Sequence, residues 1–174
     1  MPSLPTATRS PSFRLWRAAK SAVSSTLSRA RITTDAIDPQ ALLARVADPS
    51  SGAVILFLGV VRNHNDGRGI EAMRYDAYDE MAQDTLDEIL AEAEERYGVG
   101  RLAAVHRVGE LGIGDVSVAI AVSSAHRAEA YEASRYVIEE IKVRLPVWKK
   151  ERFEDGTSEW VAGRNPEISA EGGA

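Results

Sequence analysis

Apolar positions recur along the chain at two spacings, alternate residues in some segments and every third or fourth in others, and the changes of period mark the elements. Asp38-Pro39 opens a short helix through Val46, with aspartate at the N-cap and proline at the first helical position. Gly52 to Val61 (GAVILFLGVV) is apolar and β-branched enough for a central strand. The stretch RNHNDGRG, 62–69, is turn chemistry, and Ile70 to Tyr78 then reads as the partner strand. Asp79 to Tyr97 is a long helix with Ala82, Leu86, Ile89, Ala93 and Tyr97 on one face, ended by Gly98. Arg101 to Val108 is a strand, GELGIGD (109–115) a glycine-rich turn, and Val116 to Ser123 a further strand. A second long helix runs from about His126 to Arg144, with Ala130, Ala133, Val137 and Ile141 inward and Pro146 as its stop. Val147 to Phe153, the turn EDG and Ser158 to Ala162 close with a hairpin. The order α-β-β-α-β-β-α-β-β predicts an α+β fold with a mixed, largely antiparallel sheet and two long helices.

Length and charge sharpen the outline. The chain has 174 residues, enough for one domain with a real core. Residues 1–31 carry six basic side chains and no acid, which leaves 15 basic against 26 acidic residues in the remainder. The expected organisation is a basic, flexible segment over 1–34, a folded domain over 35–163 and a flexible tail over 164–174. Phe13, Trp16, Ala19, Val23 and Leu27 recur at helical spacing among basic residues. That pattern fits a membrane-surface contact or a transit signal, and equally a solvated tail or a misassigned upstream start. The longest apolar run, Ala53 to Leu58, is strand-sized, far short of the ~20 residues that span a bilayer. An acidic domain argues against nucleic acid as a partner. No membrane partner is expected either.

Cysteine is absent, so the chain has no thiolate nucleophile and no disulfide framework. Its three histidines, His64, His106 and His126, show no metal-binding spacing, and no metal or resident cofactor is expected. Candidate chemistry gathers in three places. KVRLPVWKKER, 142–152, sets Lys142, Arg144, Lys149, Lys150 and Arg152 within eleven positions. Lysines crowded by cations or desolvated beside Trp148 and Pro146 suit nucleophilic or acid–base work. The same run fits a solvated basic edge strand. In SSAHRAE, 123–129, Ser124 is placed to cap the following helix, and His126 and Arg127 beside its free N–H groups form an anion site, or simply a cap with two exposed side chains. GVVRNHNDGRG, 59–69, fits a phosphate cradle or a plain hairpin loop, without the ending of a P-loop. His106 reads as a structural histidine within a strand. Together the three anion sites suggest a small phosphorylated or carboxylated ligand.

Four patches, FLGVVRNHNDG (57–67), VHRVGEL (105–111), VSSAHRAEAYEA (122–133) and IKVRLPVWKKE (141–151), resemble the large, catalytic subunit of molybdopterin synthase. The resemblance implies an α/β-hammerhead fold and a heterotetramer built on a central dimer of this chain. It also implies sulfur transfer to cyclic pyranopterin monophosphate, forming the dithiolene of molybdopterin in molybdenum cofactor biosynthesis. The sulfur would arrive as a thiocarboxylate on the C-terminal glycine of a small ubiquitin-like subunit, which fits a chain without cysteine. A cytoplasmic location goes with it. By the same resemblance Lys142 and Lys149 are the catalytic pair. Val60, Val61, Arg62, His126, Arg127, Lys150 and Glu151 join both lysines in binding substrate, His126 and Arg127 reaching across the dimer. Some relatives carry lysine where Val60 stands, so a side-chain role at that position is open.

Overall fold

Strand β7 (Val116–Ser124) is the most deeply buried element, and two layers of helix form because both of its faces are apolar. The computed structural model describes residues 29–161. β7 pairs antiparallel with β2 (Ala53–Val60) on one side and with β5 (Arg101–Arg107) on the other. β1 (Ala30–Thr33) lies parallel to β5, completing a four-stranded sheet of order β1-β5-β7-β2.

Alternation sorts the side chains of this first sheet cleanly. Val118, Ile120 and Val122 with Leu102 and Ala104 face α2 (Asp79–Tyr97) and α3 (Arg127–Arg144). There they meet Leu86, Ile89, Leu90, Val137 and Ile141, all buried. Ala103, Val105, Ala119 and Ala121 face the other way, where Leu42 and Val46 of α1 (Pro39–Val46) cover them. Small residues on that face let a two-turn helix seal it. The expected aspartate cap is present, since Asp38 Oδ1 accepts from the N–H groups of Gln40 and Ala41. Arg144 closes the far end of the helix layer, its guanidinium 2.5 Å from Glu92 Oε2 and 3.4 Å from Glu140.

The second sheet is ordered β3-β4-β8-β9 around the long strand β4 (Arg68–Ala77), with β6 (Gly109–Gly112) also on β4. Its members β3 (His64–Asn65), β8 (Val147–Phe153) and β9 (Ser158–Val161) are antiparallel to their neighbours. Val61, Ile70, Met73, Leu111 and Phe153 form its own small core. A two-residue elbow, Leu145-Pro146, joins α3 in the first layer to β8 in the second. Leu145 is buried and its N–H reaches the Ile141 carbonyl, while Val147 N–H turns back to Leu145 O at 2.7 Å.

The α+β class and every long element are as the pattern predicts. Three short strands depart from it. β6 replaces part of the expected glycine-rich turn, and β3 part of the turn at 62–69, because pairing with β4 supplies what local propensity lacks. β1 lies inside the segment expected to be a basic tail, so the folded unit begins before residue 35. Ser124 is not the helix cap: the β2 ladder holds it opposite Ala53, and His126 occupies the cap position. The amphipathic pattern at 13–27 and the tail at 164–174 lie outside the described residues. Among the described residues no helix is long and apolar enough to cross a membrane.

His106 on β5 is buried, as expected of a structural histidine, and its Nδ1–H donates to the Arg107 carbonyl at 3.0 Å. Desolvation pushes its imidazole down to about 4 from 6.5, the backbone bond opposing only part of that. The folded state therefore keeps the ring neutral where the unfolded chain takes up a proton. Stability is full above the unfolded pKa and falls as pH drops from 6.5 toward 4, by about 2 kcal/mol at pH 5. Urea unfolding at pH 7 and pH 5 should show the wild type losing that much more than His106→Gln. Equal losses in the two proteins would mean that His106 carries no such linkage.

Candidate active site

Alternation along β8 decides which members of the cationic run act together. Lys149 and Glu151 point to one face, and Lys150 and Arg152 to the other. Glu151 is 1% exposed, an unusual place for a carboxylate. It is held by two partners: Lys149 Nζ stands 2.8 Å from Oε1, and Asn65 Nδ2 donates to Oε2 at 3.1 Å. Arg62 in turn donates to Asn65 Oδ1 at 3.0 Å. Arg62, Asn65, Glu151 and Lys149 thus form one connected set, running from the end of β2 through the β3 hairpin to β8.

The hairpin sets this geometry. Asp66 and Gly67 both have positive φ, 47° and 79°, the two-residue turn whose twist matches paired strands. His64 faces Gly69 and Asn65 faces Arg68, so Asn65 holds the last ladder position before the turn. Arg68 pins the hairpin from outside, with its guanidinium 3.5 Å over the Phe153 ring and 2.8 Å from Glu159. Two positions of interest just upstream differ sharply. Val60 is half exposed at a bulge in β2, whereas Val61 is buried. The Val61 N–H reaches Asp115 O at 3.0 Å and its carbonyl accepts from Gly114 at 2.9 Å.

Tyr75 lies opposite Lys149 on β4, edge-on to His106 with ring centres 5.3 Å apart. Desolvation raises its phenol above the ordinary value, a hydrogen bond with Ser117 pulls it down, and the charge of Glu151 raises it further. The ring therefore stays a neutral hydroxyl. Ser117 Oγ donates onward to Gly59 O at 3.1 Å, tying the strand end before Val60 into the same neighbourhood.

The remaining predicted residues stand apart from this set. Lys142 is exposed on the last turn of α3, lining an open groove of about 720 Å³ with Ile55, Phe57, Tyr131, Arg135 and Glu139. His126 and Arg127 are exposed at the start of α3, where the cap makes no side-chain bond to the helix N–H groups. That leaves a helix N-terminus and two basic side chains facing outward, suited to an anion. Lack of a side chain at Gly52 permits this entry: a Cβ there would sit 2.5 Å from Ala125 O. Among the described residues no hydrogen bond or ion pair joins Lys142, His126 or Arg127 to the Lys149 set. Lys150 faces Trp160 at 5.6 Å, Arg152 pairs with Glu71, and Arg144 is committed to α2. The run that is dense in sequence is therefore dispersed in space, and the closest charged neighbour of Lys149 is a carboxylate. Asn65 and Tyr75 carried no signal alone; the Asp-Gly pair and the β4–β8 register are what bring them in.

Chemically, the arrangement offers a half-buried ammonium fixed by a desolvated carboxylate, a guanidinium held by the same network, and outlying cationic groups for anionic ligands. The MoaE protein family matches residues 32–144. The molybdopterin synthase catalytic subunit of Thermoplasma volcanium is 43% identical over 129 residues, covering 74% of this chain and 94% of the relative. That of Halalkalibacterium halodurans is 47% identical over 122 residues, covering 70% and 78%. Among solved structures, molybdopterin synthase from Staphylococcus aureus superposes with a TM-score of 0.74 at 38% identity, covering 78% of this chain and 98% of that one.

Proposed function

The chain belongs to the MoaE protein family, that of the molybdopterin synthase catalytic subunits, and from that premise we propose that Lys149 and Lys142 carry out its sulfur transfer. The family role lies in molybdenum cofactor biosynthesis. In this reading the donor is the thiocarboxylate at the C-terminal glycine of a small ubiquitin-like subunit, and the acceptor is cyclic pyranopterin monophosphate. The thiocarboxylate sulfur attacks a carbon of the pterin side chain and a C–O bond of that carbon breaks. Its oxygen leaves as phosphate oxygen when the cyclic phosphate opens in one transfer and as water in the other, so that the small subunit is left acylated through the sulfur. Water then adds to the acyl carbon, the C–S bond breaks, sulfur stays on the pterin, and the small subunit leaves as a carboxylate. Two such transfers complete the dithiolene. A cytoplasmic location and a heterotetramer around a dimer of this chain belong to the same proposal.

The observation that carries the reading is the Lys149 ammonium, held 2.8 Å from a carboxylate that is itself almost fully buried. Water addition to the acyl carbon builds an oxyanion, and a fixed cation beside it lowers the barrier without reorganising during the step. Lys142 supplies a second positive charge and a proton carrier. Arg62, His126 and Arg127 bind the phosphate and pterin, the latter two reaching from the second copy as the family resemblance implies. Val60, half exposed, has a free flank for substrate, whereas Val61 contributes by fixing the chain before Arg62. Lys150 is assigned to the substrate-contacting segment with Glu151, which acts through Lys149.

The test is reconstitution of purified chain, thiocarboxylated small subunit and cyclic pyranopterin monophosphate, reading molybdopterin as its oxidised fluorescent derivative. Product is expected from the wild type. Lys142→Ala should lower the rate by about 10²-fold with partner binding, measured separately, unchanged. No product from the wild type beside a working synthase control, with tight partner binding, would favour a non-catalytic assembly module instead.

A further inference from the structure

Asn65 sits between two groups of opposite demand. The Arg62 guanidinium needs an acceptor and finds Asn65 Oδ1 at 3.0 Å, while Glu151 Oε2 needs a donor and finds Asn65 Nδ2 at 3.1 Å. A primary amide offers both at once and on separate atoms, so it can face two groups on different sides. The other carboxylate oxygen, Oε1, faces Lys149 Nζ at 2.8 Å and has no other partner among the described residues. We propose that Asn65 is a positioning residue for sulfur transfer, its amide locking Arg62 and the Glu151–Lys149 pair into one fixed arrangement of two cations. The inference rests on the reading of Lys149 given above.

Three groups meet at this amide: Arg62, Glu151 and, through Glu151, Lys149. Arg62 projects from an exposed connection, and among the described residues Asn65 is its one side-chain hydrogen-bond partner. Glu151 is fixed by β8, but Oε2 loses its one donor if Nδ2 is removed, and a buried unsatisfied carboxylate oxygen turns to compete for the ammonium. Lys149 would then be drawn toward the carboxylate and away from the substrate. The tight Asp66-Gly67 turn holds Asn65 at its ladder position, so the lock is built into the hairpin. The groups facing Glu151 are Lys149 from its own strand, Asn65 with Arg62 behind it, the neutral Tyr75 hydroxyl from β4, and Glu159 opposite it on β9, whose carboxylate is paired with Arg68.

Asn65→Leu removes both hydrogen bonds at similar volume, and Asn65→Asp keeps shape and the Arg62 contact while setting a second carboxylate against Glu151. In the reconstituted reaction, Asn65→Leu should lower kcat by about tenfold to a hundredfold, more than it raises KM for the pterin, with small-subunit binding near wild type and a lowered thermal midpoint that still leaves the protein fully folded at the assay temperature. Asn65→Asp should be as impaired at pH 8 but recover toward pH 6, as a proton shared between the two carboxylates replaces the lost N–H bond. A merely structural residue would not give that pH-selective rescue. Asn65→Leu within about twofold of wild-type kcat, or Leu and Asp variants that fall together at every pH, would overturn the proposal. Lys149→Ala run alongside separates the two levels. If it collapses while Asn65→Leu does not, the positioning role alone is wrong; if it stays active, the reading beneath it goes too.

Discussion

Lys149→Ala is expected to lower molybdopterin formation by about 10²–10³-fold while the small subunit still binds. The size follows from placement. Lys149 is the one lysine of the run whose ammonium is both half-buried and held at 2.8 Å by a desolvated carboxylate, so its charge is directed before substrate arrives. Truncation leaves the β8 ladder intact, since its pairing with β4 and β9 is through the backbone. The check is single-turnover product formation with preloaded thiocarboxylate, beside a binding titration. Lys149→Arg is informative too: it keeps the charge but carries it further from the backbone on a planar group, and should recover only a small part of the rate. Near-native turnover in Lys149→Ala would remove Lys149 from the mechanism.

Glu151→Gln should cost both stability and rate. Glu151 lies almost completely out of water, and Lys149 has only 28% of its side chain exposed, so each depends on the other for charge compensation. Removing the carboxylate strands an ammonium in a partly desolvated place, at a cost of about 3 kcal/mol. Urea unfolding would read this directly. Adding Lys149→Met to Glu151→Gln should restore most of the stability, because the double variant leaves no charge unpaired, yet it should remain inactive. A double-mutant cycle with no coupling would mean the two groups stand together without depending on each other.

The sequence was most legible where one physical signal dominated. Asp79–Tyr97 was readable to its ends because the apolar face, the acidic first turn and Gly98 agree. β7 was readable because its middle, Val118 to Val122, is apolar without a break. β6 was not, because only Leu111 of its four residues is buried and the strand exists through its pairing with β4. β1 was hidden by Arg29 and Arg31, whose charges spoke for a tail although Ala30 is fully buried.

At the site the same division holds. Lys149 and Glu151 are two apart on a strand, so their shared face was implicit in the spacing. Arg62 belonged to a segment already singled out. What spacing could not give was the dispersal of the cations: Arg144 clamps helices, Arg152 pairs with Glu71, and Lys150 turns to Trp160, each by a partner distant in sequence. Nor could it give Asn65, whose meeting with Glu151 spans 86 positions and exists only once β4 lies beside β8.

The Leu145-Pro146 elbow gives this catalyst a mechanical character. Lys142 rides on a helix of the first layer and Lys149 on a strand of the second, and the joint between them is a proline beside a buried leucine with its backbone turned back on itself. Such a joint has almost no torsional freedom to lose. The spacing of the two backbone positions is then a property of how the two layers are mounted, fixed when the chain folds rather than when ligands arrive. The backbone entropy of holding these two attachment points at a set separation has been spent in advance, so only their side chains remain to be ordered when ligands bind.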